Sequence, residues 1–298
     1  MKWEQAIADY TYYLKIERAL ADNTIENYRL DILKLTNYLS EFNIDTSPID
    51  IDEETIQSFI YTISKLLNER SQSRLISGLK SFFDYLIFED YRRSNPLELI
   101  ESPRLGRKLP DTLSTQEIDQ LIEAIDLSHP QGHRNKAIIE TLYGCGLRVS
   151  ELINLRFSHL HFESGFIKVL GKGNKERLVP INEYTQNFIN LYVDEVRNHQ
   201  EIKTDYKDVL FLNRRGAGLT RAMIFTIVKQ LAQKAHIEKK ISPHTFRHSF
   251  ATHLLENGAN LRVIQQMLGH ESITTTEIYM HLDKSHLRSV MEKFHPRA

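Results

Sequence analysis

At 298 residues and 41% hydrophobic content, the chain has room for two domains with their own cores, and general disorder is excluded. A net charge of −1 excludes a general pull toward nucleic acid, so such binding has to come from where the charge sits: 12 Lys and Arg against 18 Asp and Glu up to Arg104, then 26 against 21. The single cysteine, Cys145, excludes an internal disulfide and a multi-cysteine metal site.

That cysteine usage points to a reducing, cytoplasmic setting. The polar start Met1-Lys2-Trp3-Glu4-Gln5 and the lack of any apolar run near the roughly 20 residues that span a bilayer predict no secretory leader and no membrane partner. In chain order, helices are predicted over Ala6–Arg18, Thr24–Phe42, Glu53–Lys65 and Ser71–Phe88. In the second, Asn23 is placed to cap while Glu26 reaches back, and Tyr28, Ile32, Leu35 and Leu39 recur at helical spacing. Together they make a helical bundle. The segment from Ser102 to Pro110 carries Arg104, Arg107 and Lys108 between prolines that no helix continues through, and reads as an interdomain linker.

Beyond it, Ser114-Thr-Gln-Glu117 is a capping box opening a helix to about Ala124, and Arg134–Tyr143 forms another that Gly144 and Gly146 end. Phe166–Leu170 and Arg177–Ile181 are predicted strands joined by the glycine-rich turn Gly171-Lys-Gly-Asn-Lys175, with a further short strand at Val209–Leu212. The rest is helical, so the second domain is mainly α with a small sheet.

Ser242-Pro-His-Thr-Phe-Arg-His248 opens a helix with Ser242 as cap and Pro243 at its first position; Gly258 stops it, and Phe246, Phe250 and Leu254 form its buried stripe. His244 and Arg247, three apart, share a face near the helix N-terminus, where an anion is welcome; taken alone, the pair is equally a cap and a surface ion pair. Arg148 likewise follows a glycine-rich turn at a helix start, and Lys172 sits at a hairpin tip where a solvated lysine is also common. A helix over Leu261–Leu268 ends at Gly269, which presents His270. Tyr279, one of 13 tyrosines, would by itself be a packing residue. Two nucleotide-binding patterns fail: Val149 replaces the third glycine of G-x-G-x-x-G, and Gly165 to Lys172 has the wrong glycine spacing for a P-loop, with Gly173 in place of Ser or Thr.

Taken in order, Arg148, Lys172, His244, Arg247, His270 and Tyr279 resemble the catalytic set of the tyrosine recombinase (phage integrase) family. The segments that carry the resemblance are Gly-Leu-Arg148-Val-Ser-Glu-Leu, Lys172 in the hairpin, His244-Thr-Phe-Arg247-His, Leu-Gly-His270 and Thr-Thr-Glu-Ile-Tyr279. It covers the whole chain, since Thr24-Ile-Glu-Asn-Tyr28 and Arg74-Leu-Ile-Ser-Gly-Leu-Lys80 are similar to the family's core-binding domain. The compact length, the sequence around Ser242 and the ending His295-Pro-Arg-Ala298 most resemble the Xer-type site-specific recombinases, XerD branch. The resemblance implies an all-α, SAM-like core-binding domain over 1–102, a basic linker over 103–110, and an α+β catalytic domain over 111–298 ending in an exchange helix at about 285–294.

It further implies an enzyme that cuts and rejoins DNA with Tyr279 as nucleophile, through a 3′-phosphotyrosine intermediate and a free 5′-hydroxyl, without metal, ATP or other cofactor. In the implied roles Arg148 and Arg247 hold the scissile phosphate, Lys172 protonates the leaving oxygen, His244 exchanges a proton with Tyr279, and His270 donates to the phosphate. A tyrosine with an ordinary pKa near 10 needs such neighbours to react at neutral pH. The implied partners are a double-stranded DNA recombination site clamped by both domains and a tetramer on that DNA, of one recombinase or with a second Xer-type recombinase. A DNA translocase is the implied activator, and the biological task is resolving chromosome dimers at cell division. Arg74 and Lys80, six apart and so not on one helical face, are candidate DNA contacts. Leu287, Val290, Met291 and Phe294 form an apolar stripe whose cover, at home or on a neighbouring protomer, stays open.

The alternatives are an integrase or transposase of a mobile element, strand relaxation of the type IB topoisomerase kind, a DNA-binding factor with a dead site, and a metal hydrolase. Against the last, His248 and His253 are five apart and no H-E-x-x-H occurs.

Overall fold

Four amphipathic helices fill the first ninety residues: α1 (Trp3–Ile16), α2 (Asp22–Glu41), α3 (Glu53–Ser64) and α4 (Glu69–Phe88). The structure is a computed structural model that describes residues 1–103, 111–171, 175–269 and 284–297. The chain divides into two compact units, Met1–Lys108 and Leu109–Ala298. The predicted linker lies, from Arg104 on, outside the described residues.

In the first unit, Ile25, Ile32, Leu35 and Leu39 of α2 meet Leu75, Leu79, Phe82 and Leu86 of α4 in one core. Asp52 and Asn68 cap α3 and α4, accepting from the amides of Thr55 and Ser71 at 2.8 and 2.9 Å. The cap predicted at Asn23 is not made. Helix α2 starts two residues earlier, with Ala21 before it and Asp22 supplying the acidic first turn; Asn23 is inside the helix, and Glu26 pairs instead with Arg29 at 2.9 Å. Between α2 and α4, the fully buried Asp31 takes both terminal nitrogens of Arg74 at 2.8 Å and Lys34 at 3.0 Å.

The second unit begins with α5 (Thr115–Glu123), opened by the predicted capping box of Ser114 and Glu117. Helix α6 (Gly132–Gly144) follows, buried almost all round, then the short α7 (Val149–Ile153). The sheet has three strands, β1 (Leu160–His161), β2 (Phe166–Leu170) and β3 (Glu176–Pro180), antiparallel in that order, with Ile167 opposite Val179 and Val169 opposite Arg177. β1 was not expected because two residues show no alternation. No strand forms at Val209–Leu212 among the described residues. Arg197 explains this: its guanidinium donates to the carbonyls of Lys207, Val209 and Leu210 at 2.7 to 3.2 Å, so a side chain takes acceptors that a neighbouring strand would use.

Helices α8 (Glu183–Glu195), α9 (Arg221–Lys234), α10 (Pro243–Glu256), α11 (Leu261–Leu268) and α12 (Lys284–Phe294) complete the unit. Helix α10 packs its expected stripe, Phe246, Phe250 and Leu254, fully into the core, where Leu142 and Tyr143 of α6 also lie. Cys145 is buried there too, and burial pushes its thiol up, so it is inert as a nucleophile. Leu287, Val290 and Met291 of α12 are buried in this same core with Phe294 against it, so in the single chain the apolar stripe is seated at home. Beyond it His295 is held against Tyr143 and Phe250, and Arg297 pairs with Glu140 and Asp119. Among the described residues no helix is long and apolar enough to cross a membrane.

Candidate active site

The turn between α6 and α7 sets the first catalytic candidate. Gly146 has φ of +58°, and a Cβ there would come within 2.6 Å of the Phe250 ring, so glycine alone lets the chain turn this close to α10. Arg148 then stands at the N-terminus of α7, half-buried, its amide donating to Glu151 Oε2 at 2.9 Å and its Nη1 to Glu151 Oε1 at 2.8 Å.

The second candidate comes from α10. Pro243 occupies the first helical position and the Ser242 amide donates to Thr245 Oγ1 at 3.0 Å, which fixes the helix start. One turn on, Arg247 points inward. It is only 7% exposed, not the surface residue its spacing alone allowed. Its Nη1 donates to the Gly146 carbonyl at 2.9 Å, and it lies 3.9 Å from Glu151. His244 stays exposed at the same end of the helix.

The end of α11 draws these groups together. Its last carbonyls have no partner within the helix and carry the negative end of its dipole. Arg177 Nε donates to Met267 O at 3.0 Å, Arg247 Nη2 to Leu268 O at 2.5 Å, and Arg148 Nη2 to Gly269 O at 3.2 Å. Three guanidiniums thus take three consecutive carbonyls. Gly269 closes the helix with φ of +64°, and a Cβ there would press to 3.0 Å of Arg177 Cδ.

Inside this ring of cations Glu151 is almost fully buried and accepts both terminal nitrogens of Arg177 at 2.7 and 2.8 Å. Burial pushes its carboxyl up, but the hydrogen bonds and charge of Arg177, with those of Arg148, outweigh that and hold it below the usual carboxylate range. Arg247 is pushed well below its ordinary value by burial and by the charge of Arg148, only partly offset by Glu151. A guanidinium stays charged at neutral pH regardless, so Arg247 is a buried cation that Glu151, 3.9 Å away, offsets only in part. His244 is also held below the usual histidine range, first by partial burial and then by His248, Arg247 and Arg148, so at pH 7 it is neutral and a proton acceptor.

Of the six predicted catalytic residues, the described part of the structure brings Arg148, Arg247 and His244 together. Lys172, His270 and Tyr279 lie outside the described residues. The two residues that precede Lys172 and His270 both border the cluster: a Cβ on Gly171 would lie 3.5 Å from Arg177 Nη1 and 3.9 Å from Glu151 Oε1, and Gly269 carries the carbonyl that Arg148 takes. Arg74, a candidate DNA contact, has both terminal nitrogens on Asp31, and Lys80 is half-buried with its carbonyl accepting from Asn95 at 3.0 Å. Sequence reading missed Glu151 and Arg177. The available signal was Arg177 in β3, a charge two residues from Val179 and so on the strand's buried side.

A family model described as "Phage integrase family" matches residues 111–286, and one described as "Phage integrase, N-terminal SAM-like domain" matches residues 7–90. The chain belongs to the phage integrase family. It is 43% identical to the tyrosine recombinase XerD of Staphylococcus haemolyticus (strain JCSC1435), over 99% of this chain and the whole of that protein. With the same name from Staphylococcus aureus (strain N315) it shares 42% over the same extents. Among solved structures, the XerH site-specific recombinase bound to palindromic difH substrate, a post-cleavage complex, superposes with a TM-score of 0.71 at 27% identity, over 89% of this chain and 78% of that one. This tyrosine recombinase is therefore a site-specific DNA strand transferase, with the arginine cluster in the unit that the integrase model covers.

Proposed function

We propose that this recombinase breaks and rejoins both duplexes of a DNA recombination site by transesterification at Tyr279. The phenol oxygen attacks the scissile phosphorus, the bond to the 5′-oxygen breaks, and a 3′-phosphotyrosine and a 5′-hydroxyl result. The phenol proton passes to His244, Lys172 supplies a proton to the departing 5′-oxygen, and His270 donates to a non-bridging oxygen. Arg148 and Arg247 meet the charge that builds on the phosphate. Attack by a 5′-hydroxyl from the partner duplex reverses the step on a new strand, so ester energy is kept and no nucleotide cofactor is consumed.

The observation that carries this reading is the cation excess around Glu151: three arginines share one carboxylate, and none of the three has another acidic partner among the described residues. In the domain assignment we adopt, 1–102 is the core-binding domain, 103–110 the basic linker and 111–298 the catalytic domain. DNA as substrate is supported by the difH complex of the XerH relative. Resolution of chromosome dimers, in a tetramer formed alone or with a second Xer-type recombinase and triggered by a DNA translocase, is the biological role we infer; XerD-named relatives matching over their whole length support it.

The test is a duplex carrying the recombination site with a nick beside the cleavage point, which traps the covalent adduct. Wild type is expected to form the adduct in chelator, and Tyr279→Phe to bind the duplex equally and form none. Absence of adduct from wild type on every candidate site would overturn the reading. Because His244 is held below 6.5 and must be neutral to take the proton, the adduct rate should stay on its plateau as pH falls through 6.5 and drop only below it. A drop centred above pH 6.5 would remove His244 from the role.

A further inference from the structure

Arg177 is the third guanidinium of the cluster and stands outside the set that handles the phosphate. It extends from the buried face of β3 and is 7% exposed. Three of its nitrogens are committed inward: Nη1 and Nη2 to the two oxygens of Glu151, at 2.7 and 2.8 Å, and Nε to Met267 O at 3.0 Å. No nitrogen is left to turn toward a phosphate. Glu151 in turn is what Arg148 leans on, through both its amide and its Nη1.

With Arg177 present, Glu151 is neutralised by a partner whose three nitrogens all face inward, and Arg148 and Arg247 keep their charge for an anion. Without it, the cluster holds one carboxylate against two arginines, and the buried carboxylate lacks the two hydrogen bonds that Arg177 gave it. It then draws further on the two cations the phosphate needs, Arg148, already on it at 2.8 Å, and Arg247, 3.9 Å away. Its Nε contact also pins the α11 carbonyl two residues before the one that Arg148 uses.

We propose that Arg177 is a positioning residue for strand cleavage: it occupies Glu151 and the end of α11 so that Arg148 and Arg247 stay oriented toward the scissile phosphate. The proposal rests on the transesterification reading above. It predicts a loss in the chemical step with DNA binding spared, because Arg177 touches no DNA atom in that scheme.

The experiment uses the full chain and the nicked duplex, with affinity measured by titration, adduct formation measured under saturating protein, and folding checked by circular dichroism at the assay temperature. Arg177→Met should bind within about twofold of wild type and form adduct about 100-fold more slowly, the cost of a catalytic group displaced by about an ångström. Arg177→Lys, which restores the charge without the fork, should regain most of that rate. Arg177→Met combined with Glu151→Gln, which removes the stranded carboxylate, should fall between Arg177→Met and wild type. If Arg177→Met is within twofold of wild type in adduct rate, or loses rate only as it loses binding, the proposal is overturned. Should Arg177→Met not fold, the double variant decides: a wild-type rate overturns the proposal, and a reduced rate with binding intact supports it. A wild type without adduct would instead strike the transesterification reading, so the two failures are distinct.

Discussion

Both units bury a carboxylate under basic side chains, and the two clusters do opposite things. Asp31 in the first unit is fully buried, but its cations reach in from solvent: the side chain of Arg74 is 40% exposed and that of Lys34 35%. Glu151 in the second unit is held by Arg177 and Arg247, at 5% and 8%, and by Arg148 at 31%. Water screens the excess charge at Asp31, so that cluster is a clasp between α2 and α4. At Glu151 two of the three cations are almost fully buried and only Arg148 reaches water, so solvent meets less of the excess. What separates the two clusters is the burial of the cations, since each sets one carboxylate against an excess of basic side chains.

The largest expected effect comes from removing each carboxylate. Glu151→Ala strands a buried arginine pair and should cost about 3–5 kcal/mol; Asp31→Ala lets Arg74 and Lys34 turn to water and should cost about 1.5–3 kcal/mol, the range for hydrogen bonds to a charged group. Trp3, the chain's one tryptophan, reports unfolding of the first unit, and hydrogen exchange in β3 reports the second. Equal losses at the two sites would break the comparison. Next, Arg247→Ala should lower the adduct rate by about 10²–10³-fold, the scale for loss of one donor at a developing charge, while Arg74→Ala leaves the rate on bound DNA unchanged. A matching rate loss from Arg74→Ala would mean that the clasp, too, acts on the chemistry.

Acid should separate the units further, because the first 104 residues contain no histidine. Burial, then the charge of Arg297, pushes His295 down to about 3. Its folded value is below the unfolded one near 6.5, so its contribution is fully present above pH 6.5 and is lost as pH falls from there toward 3, at up to about 1.4 kcal/mol per unit. Urea midpoints of the second unit should fall between pH 6.5 and 5 while Trp3 reports little change, and His295→Gln should flatten that slope. An equal slope for both units would assign the acid sensitivity elsewhere.

The smallest effect sharpens the contrast most. Arg29 and Glu26 pair at 2.9 Å with the same three-residue spacing as Arg148 and Glu151, yet on an open surface. Glu26→Ala should leave the unfolding midpoint within error.

That matched pair also shows how much was legible in the sequence. Periodicity and caps placed most of the helices within a few residues, because Ser114 with Glu117, Pro243 and Gly269 act through local backbone chemistry. Asn23 failed because the helix starts two residues earlier, at Asp22, which leaves Asn23 inside it, and the strand at Val209–Leu212 failed because Arg197, twelve residues before, takes its acceptors. At the site, Arg148, His244 and Arg247 were found through family resemblance, whereas Glu151 read as one more acid on a short helix. Its burial depends on Arg177 and on the end of α11, which are 26 and more than 100 residues away, and no local pattern encodes those distances.

The end of α11 works as a ruler. Two of the three successive carbonyls, those of Met267 and Leu268, are spaced by the backbone repeat of about 1.5 Å and 3.6 residues per turn, and the left-handed turn at Gly269 sets the third. The exposed positions Leu261 and Arg262 are thus open to recoding, while α11 tolerates no change in length: inserting or deleting one residue would rotate the row by about 100° and offer each guanidinium its neighbour's mark.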